Sequence, residues 1–148
     1  MKATDVLRRA HGHFRALFAE HVGSRPDKKR EIFRAIKDEL EVHTRIEEEF
    51  FYPAVVRVRS NEARAIVREG LEEHQIVEGL LAEIDQMDEK DQSYDDRMVA
   101  LRDNLERHLR DEEDRIFVQA LSHLSEARLE KIGSDMQARK EKLRASTG

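Results

Sequence analysis

A chain of 148 residues is one ordinary domain's worth and too short for two, so its chemistry has to be built inside one core. Charged residues make up 40% and aromatics only 5%, with 6 Gly and 2 Pro, which favours long amphipathic helices and disfavours a sheet. The absence of cysteine excludes disulfides, thiolate nucleophiles, iron–sulfur clusters and thiolate-bound zinc, and leaves only N and O ligands. Net charge is −5, with 27 Lys+Arg interleaved among 32 Asp+Glu, so no footprint for nucleic acid is expected. No apolar run approaches the roughly 20 residues of a membrane span, and the N-terminus lacks the apolar core of a signal peptide. The expectation is a cytoplasmic protein with no membrane or nucleic-acid partner.

The first helix is predicted from about Thr4 to Val22, where Gly23 stops it. Ser24, with Asp27 three residues on, reads as a capping-box start for a second helix that carries Pro26 in its first turn and reaches about Arg59. Pro53 is expected to kink or shorten that helix near its end. Ser60 or Asn61 caps the third, which fades near Met87 into a polar DEKDQ stretch. Ser93, followed three residues later by Asp96, opens the fourth, and Ser125 opens the fifth. Nothing shows the period-two alternation of a half-buried strand. The pattern predicts an all-α fold: an up-down-up-down four-helix bundle over residues 1–124, with an additional C-terminal helix over 125–148. The tail stripe Leu129, Ile132, Met136, Leu143 is thin and its charge is +2, so it could cap the bundle, join a protein partner or a second copy of the chain, or fray.

Inward stripes at spacings of three and four carry polar interruptions, and these are the functional signal. Helix one reads Leu7, His11, Phe14, Phe18, His21; helix two reads Phe33, Ile36, Leu40, His43, Glu47, Phe50, Ala54. Helix three reads Ala63, Val67, Gly70, His74, Val77, Leu81, Ile84; helix four reads Met98, Leu101, Leu105, His108, Glu112, Ile116. In an antiparallel bundle, groups at one height lie equidistant from the intervening turn. The midpoint of His11 and His43 falls at Asp27, that of the His43/Glu47 pair and His74 near Ser60, and that of His74 and the His108/Glu112 pair at Gln92, which are the breakers already assigned. At about 1.5 Å of rise per residue, His11, His43, Glu47, His74, His108 and Glu112 therefore converge within one or two turns of a common level.

Two unpaired carboxylates in an apolar interior would cost several kcal/mol each, and no Lys or Arg occupies a neighbouring stripe position. A bound cation is the compensation, and imidazole with carboxylate suits Fe, Mn or Zn better than Cu(I). Ligand counting favours two ions, because two shared glutamates and four histidines give four protein ligations to each. An oxo or hydroxo bridge makes five, and octahedral coordination leaves about one position per ion for water or a small molecule. His13, His21 and His123 lie off the face or about 15 Å along the axis from this level and are expected at the surface or the bundle ends. Glu48, Glu49, Glu113 and Asp114 are expected on a solvated face or, alternatively, in contact with the ligands from outside; Phe51 and Tyr52 are expected as core or cap aromatics, with an access channel as the alternative place for Tyr52.

The stretches AHGHFRALF around His11, ELEVHTRIEEEFFYP around His43 and Glu47, GLEEHQIVEGLL around His74 and NLERHLRDEEDRIF around His108 and Glu112 resemble the hemerythrin-like HHE cation-binding family. The resemblance covers about residues 4 to 122 and implies a non-haem di-iron centre bridged by Glu47 and Glu112. It also implies a role linked to dioxygen, nitric oxide, peroxide or iron sensing. Three departures stand out: Ala10 occupies a position where members commonly have Asp, IFVQA follows the second HxxxE without the usual proline, and Glu78 stands where oxygen carriers have a further histidine. Reversible oxygen carriage is therefore not expected. The reading is a di-iron protein reacting with a small diatomic or peroxide ligand, as an oxidoreductase or, alternatively, as an iron or oxygen sensing module without turnover.

Overall fold

A computed structural model describes residues 1–147; Gly148, which closes the 125–148 segment, lies outside the described residues. The helices are α1 (Ala3–Val22), α2 (Pro26–Ile46), α3 (Tyr52–Val56), α4 (Asn61–Asp85), α5 (Tyr94–Asp111), α6 (Phe117–His123) and α7 (Glu126–Thr147). A π-helical turn at Glu47–Phe51 joins α2 to α3, and another at Glu112–Ile116 joins α5 to α6. These pieces make four rods of a helical bundle, and no strand occurs among the described residues. No helix is long and apolar enough to cross a membrane.

The punctuation is partly as the sequence suggests. Ser60 accepts from the Ala63 amide and Ser125 from the Arg128 amide, satisfying first-turn donors. Ser24 does not start α2: its hydroxyl donates back to the Glu20 carbonyl, closing α1, and Arg25 takes the N-cap position with Pro26 entering the first turn. Ser93 sits at the start of α5 without capping it, because its hydroxyl donates to Asp91 instead.

The stripes of α1, α4 and α5 are buried where the spacing places them. In the second rod Phe51, Tyr52 and Ala54 are buried as expected, but Phe50, placed on the inward stripe, is only partly covered. The extra residue of the π turn accounts for this, because it advances the inward face by one position. Pro53 is not the cause: Val118 stands at the matching place after the second π turn, where no proline is present. The apolar residues form two clusters. One gathers Leu7, Ile46, Phe51, Val55, Ile66, Phe117 and the inner face of α7; the other gathers Phe14, Phe33, Leu40, Leu81, Tyr94 and Leu101. The predicted polar level falls between them.

Leu129, Ile132 and Met136 of α7 are buried in the first cluster, so the tail's apolar stripe faces its own bundle. Arg139 donates to Glu49 of the first π turn at 3.2 Å, and Arg144 donates to Glu39 of α2. Gly133 is the point of closest approach: a Cβ there would collide with the Met1 carbonyl oxygen and lie 2.9 Å from the Ala3 amide nitrogen. Gly133→Ala should therefore push the N-terminal segment off α7, at a cost of about 1–3 kcal/mol. The check is a thermal melt, with a Tm lower by several degrees than the parent; an unchanged Tm would refute this packing.

Candidate metal centre

Four rods each bring one imidazole to the level between the apolar clusters, and the second and fourth add a carboxylate one turn later. His11, His43, Glu47, His74, His108 and Glu112 are all at most 3% exposed. They form two groups sharing both glutamates: His11, His43, Glu47 and Glu112 in one, Glu47, His74, His108 and Glu112 in the other, with the offered donor atoms of each within 4.8 Å of one another. All six residues singled out from the stripes are thus brought together. His13 and His123 are exposed, while His21 is buried at the bundle end against the Tyr94 hydroxyl at 3.0 Å.

A ring of carboxylates outside this level orients the imidazoles. His11 Nδ1 donates to Glu113 at 2.7 Å, His74 Nδ1 to Glu48 at 2.7 Å and His108 Nδ1 to Glu73 at 2.8 Å. With Nδ1 donating outward, a neutral ring presents the lone pair of Nε2 to the centre. Glu48 and Glu113 are therefore not merely solvated, and Glu73 escaped the sequence reading altogether. The available signal was position, since each partner directly follows an inward glutamate or precedes an inward histidine. Glu49 and Asp114 make no contact with the imidazoles, and Glu49 pairs with Arg139.

Tyr52 was also missed as a site residue. Its hydroxyl donates to Glu112 Oε2 at 2.6 Å, lies 3.2 Å from His74 Nε2, and its ring stacks on His74. Five residues beyond Glu47 on a regular α-helix would lie about 140° round the axis, away from the centre. The π turn removes about one residue's rotation and brings Tyr52 inward. Gly70 leaves room for it, since a Cβ there would meet the hydroxyl at 3.2 Å. The phenol oxygen is thus a further candidate donor.

The electrostatics of the six groups are those of a site made for positive charge. Burial, and then the charge of Glu112, pushes the Glu47 carboxyl well above the usual range. Burial pushes Glu112 up too, but hydrogen bonds with Glu47, His108 and His11 outweigh it and hold this carboxylate well below the ordinary value. Burial, followed by the charge of His11, drives His43 well below 6.5 and leaves it neutral. At His108 burial pulls down, yet hydrogen bonds with Glu112 and Glu73 prevail and raise it to about 10.

The fit of a cation can be tested on unsatisfied atoms. Both ring nitrogens of His43 and Oε2 of Glu47 are buried without a hydrogen bond, each at a cost of about 1–3 kcal/mol. His74 Nε2 and His108 Nε2 converge at 3.1 Å, where both can turn a lone pair to one cation once the proton on His108 leaves. A cation thus satisfies His43 Nε2 and Glu47 Oε2 and leaves His43 Nδ1 as the atom without a partner, so the residues present fit a metal-binding site of nitrogen and oxygen donors.

Comparison with known proteins agrees. The Hemerythrin HHE cation binding domain description matches residues 2–120, and the chain belongs to that family. It is similar to uncharacterized protein Rv2633c of Mycobacterium tuberculosis, with 32% identity over 151 residues, 99% of this chain and 89% of that protein. A crystal structure of a Hemerythrin HHE cation binding domain-containing protein, the Rv2633c homolog from Mycobacterium kansasii, superposes with a TM-score of 0.87. That pair shares 25% identity and covers 99% of this chain and 89% of the other. A DNA nickase of Nostoc sp. (strain PCC 7120) is 31% identical over 149 residues; the alignment takes in 100% of this chain but only 42% of the nickase.

His108, raised to about 10, holds a proton at neutral pH that a metal ion must displace, and the upward shift of Glu47 adds to that competition. Protons should therefore leave on metal binding at pH 7, and affinity should rise as pH rises toward about 10, because the competing protonated forms disappear. Calorimetric titration in buffers of different ionisation heat measures the count; zero protons released would contradict this charge distribution.

Proposed function

We propose that this chain is a non-haem di-iron protein that reacts with small ligands such as peroxide, nitric oxide or dioxygen. In this reading His11, His43, Glu47 and Glu112 hold one iron, and His74, His108 and the same two glutamates hold the other. The observation that carries it is the sharing of Glu47 and Glu112 between two otherwise separate four-residue groups. Mn or Zn would fit the same donors, iron being the metal whose redox chemistry gives the site a reaction.

The residues around the site restrict what can reach it. The Phe14 ring meets His43 edge-on at 5.2 Å, Phe117 stacks on His11 at 5.7 Å, and Phe51 closes against Phe117. Such a wall excludes bulk water and admits only a molecule of a few atoms. When bound, iron supplies electrons and an open coordination position. The protein's part is orientation through Glu48, Glu73 and Glu113, and a hydroxyl proton on Tyr52 directed at Glu112. Burial, followed by the nearby glutamates, holds that phenol well above 10, so it stays protonated. Glu78 is exposed and faces away, which tells against the additional histidine position of an oxygen carrier. Among the described residues no inward lysine or serine stands ready for hydrolysis.

A sensing role without turnover is the second reading, supported by the ion pair of Arg139 with Glu49, which ties α7 to the π turn that carries Glu47. The nickase activity named for the longer Nostoc relative belongs to that protein, of which this chain spans 42%.

Metal content should be about two ions per chain. Glu47→Ala and Glu112→Ala should lose both more readily than His11→Ala, since each carboxylate serves both ions; elemental analysis after gel filtration decides, and full retention in the double glutamate variant would sink the proposal. Substituting the exposed His13 or His123 by Gln should change nothing.

Stopped-flow mixing of the di-ferrous protein with peroxide, nitric oxide and air tests reactivity. Turnover lost in Glu112→Ala supports the oxidoreductase. Binding without turnover, together with altered hydrogen exchange in α7, moves the assignment to the sensor. A spectrum formed in air and reversed by degassing would overturn both in favour of a carrier.

A further inference from the structure

The site has an approximate two-fold repeat, in which α1 matches α4 and the second rod matches the fourth. His11 corresponds to His74, His43 to His108, Glu47 to Glu112, Glu48 to Glu113 and Tyr52 to Phe117. The contacts obey it: His11 Nε2 lies 3.1 Å from Glu112 and His74 Nε2 3.1 Å from Glu47, while His43 and His108 each stand 3.4 Å from the glutamate one turn on. Both His11 and His74 also carry an aromatic ring stacked upon them.

Against that repeat, three differences all fall on the His11/His43 side. His108 Nδ1 is held by Glu73, the residue before His74; the matching residue before His11 is Ala10, and His43 Nδ1 is buried with no partner. Glu48 gives its carboxylate to His74, whereas Glu113, which serves His11, also accepts from Arg15 at 3.3 Å and so shares its charge. The Tyr52 hydroxyl reaches the His74 side, where Phe117 offers only carbon to His11.

The first two differences weaken a ligand, and the third removes a candidate oxygen donor. An imidazole whose Nδ1–H is accepted by a carboxylate is a stronger base at Nε2 and is locked in orientation; without that acceptor it is neither. We propose that the two cation positions are unequal: the one between His74 and His108 binds tightly and fills first, and the one between His11 and His43 is the exchangeable position, with Ala10 as the residue that makes it so. This rests on the two-ion reading of the site.

The test is titration of metal-free protein with Co²⁺ against a competing chelator, read by absorption and by elemental analysis after gel filtration. Two steps separated by about 10- to 100-fold are expected, the range that loss of such an outer contact produces. Ala10→Glu, which copies Glu73 onto the other side, should tighten the weak step by about tenfold and leave the strong one in place. Glu73→Ala should weaken the strong step and bring the two together, so the assignment can be tested even where the first variant folds poorly. His43→Gln should abolish the weak step, and His108→Gln the strong one. Two equal steps in the parent, or an unchanged separation in both Ala10→Glu and Glu73→Ala, would overturn the inequality while leaving two-ion binding intact. Saturation at a single ion would remove the two-ion reading itself.

Discussion

Two carboxylates and four imidazoles in one closed layer are the constraint on which the rest of this protein turns. Glu47 and Glu112 have no solvent exposure, and burial together with the charge of Glu112 pushes the Glu47 carboxyl well above its usual range. Apolar packing could not tolerate such a layer alone. The fold surrounds it with two hydrophobic clusters, one on each side along the bundle axis, and sets three outer carboxylates where they meet the imidazoles from behind. A helical bundle suits this task because every backbone group is satisfied within its own rod, leaving the core free for side-chain polarity.

The π turns follow from that layer. Each begins at an inward glutamate, whose carbonyl accepts from the amide five residues on: Glu47 from Tyr52, and Glu112 from Phe117. The widened turn lets the glutamate stay one turn from its histidine while swinging the aromatic residue five places on against the histidine of another rod. A regular helix could satisfy the first requirement but not the second, because it carries the residue five places on well away from the core. Irregularity of this kind costs helix hydrogen-bond geometry and is retained where a site needs it.

This explains what was legible in the sequence and what was not. The six inward polar residues were readable because α-helical periodicity holds up to each glutamate, and because the turn positions fix the height of each histidine. Beyond Glu47 the period shifts by one, so Phe50 looked inward when Phe51 and Tyr52 are. Glu48, Glu73 and Glu113 were hidden for another reason. They sit beside the stripes, half exposed among many acidic neighbours, and only the three-dimensional approach of one rod's flank to the next rod's imidazole separates them from ordinary surface acids. Ser24 and Ser93 looked like caps because local pattern cannot tell a serine that closes one element from one that opens the next.

Near-symmetry gives the remaining asymmetries their meaning. In an irregular site, a missing contact at one histidine could be offset anywhere, and no single residue would stand out. Here the second half of the chain displays what the first half could have had: Glu73 shows what a carboxylate before His11 would reach, and Tyr52 shows what a hydroxyl at Phe117 would touch. The chain departs from its own repeat at Ala10, at Arg15 and at Phe117, all on the same side of the layer. In the proposed two-ion reading the two shared glutamates tie the halves together, and these three positions are where their affinities would diverge. On that proposal the same four-helix scaffold holds one position firmly and leaves the other adjustable, without altering any of the six inward groups.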